Sequence, residues 1–119
     1  MEMRNIFILL GVIVVGFIVF KLMSGEKNMS DKTTIKKKIE EGALIIDVRT
    51  PGEFKSGAYK GAINIPVDQI ESRVAELGDK NRDIIVYCQS GGRSSQAKRI
   101  LESKGFTNVH NGGGIGSMP

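Results

Sequence analysis

Apolar positions along the chain fall into two patterns. Near the start, Ile6 to Phe20 (IFILLGVIVVGFIVF) is an unbroken run of 15 residues without a polar side chain. Counted on to Met23 it reaches 18 residues, close to the ~20 that cross a bilayer as a helix. Lys21 can extend its ammonium to the interface. A helix with no polar face is not the amphipathic kind that packs on a globular core. Residues 1–5 therefore read as a short tail, 6–23 as a transmembrane anchor or signal segment, 24–31 as a tether, and 32–119 as a separate domain. A cleaved signal peptide, with Arg4 as its leading charge, is the alternative for 6–23. The following Lys21-Leu22-Met23-Ser24-Gly25-Glu26 lacks a small-x-small cleavage site, so an uncleaved anchor is expected.

Beyond residue 31 the apolar segments are short and separated by turn residues. Asp31 is a candidate N-cap for a helix whose Ile35 and Ile39 form one stripe, and Gly42 closes it. Ala43–Val48 is an apolar run carrying Asp47, as expected of a strand buried on both faces. Pro51–Phe54 starts a short helix. Ala62–Ile65 is a second strand, stopped by Pro66. That proline opens a predicted helix with Ile70, Val74 and Leu77 on one face, ended by Gly78-Asp79. Asp83–Cys88 is a third strand. A helix over Ser94–Lys104 turns Ala97, Ile100 and Leu101 inward, and Gly105 caps it. Thr107–His110 is a last short strand, and the tail NGGGIGSMP is expected to be irregular. Strands alternating with helices predict an α/β domain with a mostly parallel central sheet flanked by helices. Ligands of such sheets bind beyond the carboxyl ends of the strands.

Composition narrows the function. Seventeen Lys and Arg against 13 Asp and Glu leave a net charge of +4, spread along the chain. With five Phe, two Tyr and no Trp, a base-stacking platform is not expected, and nucleic acid is excluded as a partner. One cysteine excludes an internal disulfide, a multi-cysteine zinc site and a C-x-x-C redox pair. No metal or cofactor is expected.

That cysteine carries the candidate chemistry. In CQSGGRS, Cys88 to Ser94, it ends the third strand, then the chain bends through Gly91-Gly92 to Arg93 and a helix start. Such a turn gathers inward-pointing N–H groups, which bind anions. Those groups, a helix N-terminus and a cation all favour a thiolate. Cys88 is thus the candidate nucleophile. Gln89, Ser90, Gly91, Gly92 and Ser94 supply donors to a bound anion. Arg93, the loop's cation, is expected to stabilise the thiolate and attract an anionic substrate. It could equally hold the loop through an ion pair with Asp47 or a nearby acid. Asp47 and Arg49, at the end of the first strand, are expected to lock neighbouring loops rather than take part in chemistry. His110 could form a Cys–His dyad, but attack by a thiolate needs no base, so a strand-end histidine is the expectation.

Three stretches in this order, LIIDVRTPGEF (44–54), GAINIP (61–66) and YCQSGGRS (87–94), resemble the single-domain rhodaneses. The resemblance runs from about Thr33 to the C-terminus and is strongest to the small, exported phage-shock type. It departs at Ala58, where relatives often carry histidine. The resemblance implies a rhodanese-like fold and a thiosulfate sulfurtransferase. Sulfur would pass from a small anionic donor, through a Cys88 persulfide, to an acceptor such as cyanide or a small-molecule or protein thiol. Two alternatives stand beside it. Cysteine phosphatases and arsenate reductases use a similar thiolate loop, but phosphatases place five residues between Cys and Arg, where this chain has four. Non-enzymatic rhodanese-fold binding modules usually lack the cysteine. For location, six lysines between 21 and 38 favour a cytoplasmic domain by the positive-inside rule. The likeness to exported relatives favours the opposite face. A single-pass, membrane-tethered domain on the periplasm-like face is the expectation.

Overall fold

Three runs rich in aliphatic residues and one glycine-rich segment become four parallel strands. The computed structural model describes residues 30–119. The expected anchor at 6–23 and most of the tether lie outside the described residues. Among the described residues, no helix is long and apolar enough to cross a membrane.

Helix α1 (Lys32–Glu40) starts where the Asp31 carboxylate accepts the Thr34 N–H at 2.8 Å. Strand β1 (Leu44–Asp47), helix α2 (Pro51–Ser56), strand β2 (Ile63–Asn64), strand β3 (Ile84–Cys88), helix α3 (Gly92–Ser103) and strand β4 (Val109–Gly114) follow. The sheet order is β2-β1-β3-β4, and every pairing is parallel. All five residues of β3 are buried, which makes the strand carrying the cysteine a central one.

The two-residue period of a strand sorts side chains between two layers. Ile46, Val48, Ile84, Val86 and Cys88 face Ala97 and Leu101 of α3, with Ile70 and Leu77. Ile45, Ile85 and Tyr87 face Ile35 of α1, with Met118 and Tyr59 alongside. Burying each such aliphatic side chain contributes about 1.5–3 kcal/mol. The same alternation sends Cys88 toward α3 and its neighbour Tyr87 to the opposite face.

Two predicted elements differ in the structure. The helix expected from Pro66 is a pair of 3₁₀ segments, Val67–Gln69 and Glu71–Leu77. The Gln69 N–H bonds to the Pro66 carbonyl and the Arg73 N–H to that of Ile70, both three residues back. Val74 and Leu77 are also three apart, so the apolar spacing did not separate the two helix types. The tail expected to be irregular is strand for its first four residues, Asn111–Gly114. A register shift between Val86 and Tyr87 leaves Gly112 as an extra residue, a bulge. Gly113 follows at φ +78°, in the left-handed region. Glycine belongs here for steric reasons. A Cβ on Gly112 would stand 2.6 Å from Met118 Sδ, and one on Gly114 would collide with the backbone carbonyl oxygen of Gln89.

Candidate active site

The site starts at the carboxyl end of β3. The chain leaves the sheet at Gln89 and enters α3 at Gly92, so the turn has only Gln89, Ser90 and Gly91 to reverse in. Gly91 does this at φ +102°, which side-chain-bearing residues rarely adopt. The turn brings the Gly91 N–H to 2.9 Å from Cys88 Sγ. Ser94, on the first turn of α3, places Oγ 3.5 Å from the same sulfur and donates to the Gly91 carbonyl at 3.0 Å. Ser94 has one hydroxyl proton. It serves the carbonyl while the thiol is protonated and can turn to the sulfur when the thiol ionises.

Burial pushes the Cys88 thiol up, but the Ser94 hydroxyl and the N–H groups of Ser94, Gly91 and Ser90 outweigh it, and its pKa is lowered. The N-terminus of α3 lies in the same place, where its dipole favours negative charge. Cys88 is buried, while Gln89, Ser90 and Gly92 face solvent.

A second set of bonds holds the turn from behind. Ser95 Oγ also donates to the Gly91 carbonyl, at 2.9 Å, and accepts from Asn111 Nδ2 at 2.9 Å. Asn111, buried on β4, accepts the Gly113 N–H at 2.8 Å. The bulged glycine strand and the cysteine loop therefore form one unit. Sequence reasoning did not assign Ser95, Asn111 or Gly114 to the site; the Asn111-x-Gly-Gly pattern was the available signal.

Asp47 and Arg49 stand on the other side of the loop. Arg49 donates to Asp47 from Nε at 3.0 Å and from Nη2 at 2.7 Å, with both residues buried. The same guanidinium reaches the Gly57 carbonyl at 2.7 Å and Gln89 Oε1 at 3.3 Å. Tyr87 donates its hydroxyl to Asp47 Oδ2 at 2.9 Å and accepts the Tyr59 N–H at 2.8 Å. Asp47 and Tyr87 are register partners on adjacent strands, which is why their side chains meet. The cluster ties the end of β1 to the cysteine loop and the segment after α2.

Arg93 pairs with a nearby acid rather than with Asp47. Its Nη1 and Nη2 bind Glu53 Oε1 and Oε2 at 2.7 and 3.0 Å. Glu53 belongs to α2, where it also closes a capping box with Thr50. Arg93, helped by Thr50, holds the Glu53 carboxyl down at about 2. Asp47 is occupied by Arg49, and the nearby acid that holds Arg93 is Glu53. His110 lies elsewhere. It pairs with Ile85, three residues or about 10 Å of strand before Cys88, and contacts Asp83 at 3.1 Å.

The profile of the rhodanese-like domain family matches residues 31–115, well over half of the chain. The thiosulfate sulfurtransferase PspE of Escherichia coli (strain K12) is 45% identical over 71 residues, covering 59% of this chain and 68% of that protein. A sulfurtransferase of Allochromatium vinosum is 39% identical over 71 residues, covering 60% of this chain and 65% of its own length. The alignments thus span about two thirds of these curated relatives. Among solved structures, a rhodanese from E. coli with anions superposes at a TM-score of 0.62 with 42% identity, covering 66% of this chain and 95% of that one.

Proposed function

The chain belongs to the rhodanese-like domain family, and on that premise we propose that it is a thiosulfate sulfurtransferase working through a Cys88 persulfide. The observation that carries this reading is the Gly91 N–H 2.9 Å from a buried sulfur whose pKa is lowered. The Cys88 thiolate attacks the outer sulfur of thiosulfate or a similar donor. An S–S bond forms, the donor's S–S bond breaks, and its electron pair leaves on sulfite. The Ser90, Gly91 and Ser94 donors that favour the thiolate then favour the persulfide anion. Cyanide or a thiol takes the outer sulfur and returns the Cys88 thiolate. This is double displacement through a covalent intermediate.

The test is intact-protein and peptide mass spectrometry after treatment with thiosulfate. The peptide holding Cys88 should gain one sulfur atom and lose it on adding cyanide. An unmodified thiol would favour a non-enzymatic binding module. The same preparation should not hydrolyse an aryl phosphate, because four residues between Cys88 and Arg93 make a smaller ring than phosphatases use. Phosphate release that depends on Cys88 would favour the phosphatase reading.

The same proposal holds the domain at a membrane through residues 6–23, on the periplasm-like face. Its support is the uninterrupted apolar run. Cys88 is the one thiol in the chain, which makes it a reporter of side. A membrane-impermeant thiol reagent should label it once the outer barrier is opened and before the inner membrane is broken. Labelling only after inner-membrane lysis would place the domain in the cytoplasm.

A further inference from the structure

Both guanidinium groups that reach the cysteine loop, among the described residues, are already matched by a carboxylate. Arg49 is held by Asp47 in a buried pair. Arg93 is held by Glu53 through two bonds of 2.7 and 3.0 Å, with about a third of each side chain exposed. Arg93 thus stands at the solvent edge of the site, and so does its counter-charge. Glu53 is held from a second side. Its Oε1 also accepts the Thr50 N–H at 3.2 Å and the Thr50 hydroxyl at 3.1 Å, while its own N–H is taken by Thr50 Oγ. The carboxylate stays ionised throughout the ordinary pH range.

A doubly charged donor arriving at this edge meets a cation and an anion together. Its attraction must come from the loop's N–H groups and the α3 dipole rather than from a free arginine charge. We propose that Glu53 is a specificity-determining residue, whose negative charge beside Arg93 biases the loop toward singly charged or neutral sulfane-sulfur donors and against dianions. This rests on the sulfurtransferase reading and adds a substrate class to it. Organic thiosulfonates and organic persulfides belong to the favoured class, and thiosulfate is accepted at a disadvantage. The chemistry is the same for each. The Cys88 thiolate bonds to the terminal sulfur, the donor's sulfur–sulfur bond breaks, and the electron pair leaves on sulfite or sulfinate, or on a thiolate when the donor is a persulfide. With thiosulfate or a thiosulfonate, no proton or outside oxidant is consumed.

The test is Glu53→Gln in the full-length chain, with cyanide as acceptor and two donors, thiosulfate (charge −2) and benzenethiosulfonate (charge −1). Glutamine keeps an oxygen for Thr50 and for one Arg93 N–H, and water can serve the other donor at this exposed edge. What changes is one unit of charge. A charge effect scales with substrate charge, so kcat/KM should rise about threefold for the monoanion and about tenfold for the dianion at low ionic strength. Both gains should shrink toward unity in about 0.5 M salt, where the Debye length falls below ~5 Å. Glu53→Asp keeps the charge and should leave the ratio between donors at its wild-type value. An equal change for both donors, a loss for both, or no change would overturn the proposal and leave Glu53 as a loop support. Failure of the sulfurtransferase reading would look different, since wild type and variant alike would form no thiocyanate from either donor.

Discussion

Cys88→Ser should abolish transfer of sulfur from thiosulfate to cyanide, by about 10³-fold or more, while the domain stays folded. The chain has no other thiol, so no second residue can carry a persulfide. A serine hydroxyl placed at the same point would remain protonated, and an alkoxide there would form no sulfur–sulfur bond. The structural effect is small by comparison. Serine is close to cysteine in size, and the Gly91 N–H and Ser94 hydroxyl that face Sγ can face an oxygen instead. A loss of about 1 kcal/mol is expected from the poorer fit against the apolar side of the site. Thiocyanate formation and a thermal melt on the same sample separate the two effects. Turnover above a tenth of wild type would remove Cys88 from the mechanism.

Asp47→Ala should be the most destabilising single change considered, at about 3–5 kcal/mol. Asp47 is fully buried and Arg49 nearly so. Removing the carboxylate strands the guanidinium in the protein with the Gly57 carbonyl and Gln89 as its remaining acceptors. The Arg49 N–H and the Tyr87 hydroxyl also lose the acceptor they share. Against a total stability of about 5–15 kcal/mol for a domain of this kind, the loss is a large fraction. Urea denaturation gives the measurement, as a drop in midpoint without a change in slope. Asp47→Asn should lose less, since its amide oxygen still accepts. Replacing Asp47 and Arg49 together by apolar residues should recover part of the difference, because no buried charge is left over. A midpoint for Asp47→Ala equal to wild type would mean that Arg49 finds water, and that the pair does not hold the loop.

Much of this protein was legible one residue at a time. The runs at 43–48 and 83–88 contain strands because continuous aliphatic stretches ended by turn residues suit a sheet buried on both faces, and the shorter Ile63–Asn64 strand pairs at the sheet edge. The thiol, the two glycines and the helix start in CQSGGRS are contiguous, so their meeting required no knowledge of the rest of the chain. The loop-holding role of Asp47 and Arg49 was legible at the end of the first strand, while their pairing with each other appears only in the structure.

What the tertiary structure decided involves residues far apart in sequence or residues with no side chain to read. Glu53 and Arg93 are 40 positions apart. They meet because β1 and β3 are neighbours in the sheet, and the elements leaving their ends, α2 and the cysteine loop, emerge side by side. The glycine run 112–114 has no hydrophobic pattern, yet it is strand. Backbone groups along the open side of β3 need partners, and only residues without Cβ can approach the Gln89 carbonyl that closely. Local apolar spacing also left open whether residues 67–77 form an α-helix or a 3₁₀ path. Short-range pattern therefore determined most of the elements and the candidate nucleophile. The identity of the charge that faces Arg93 was set by strand order, which no local stretch of the chain contains.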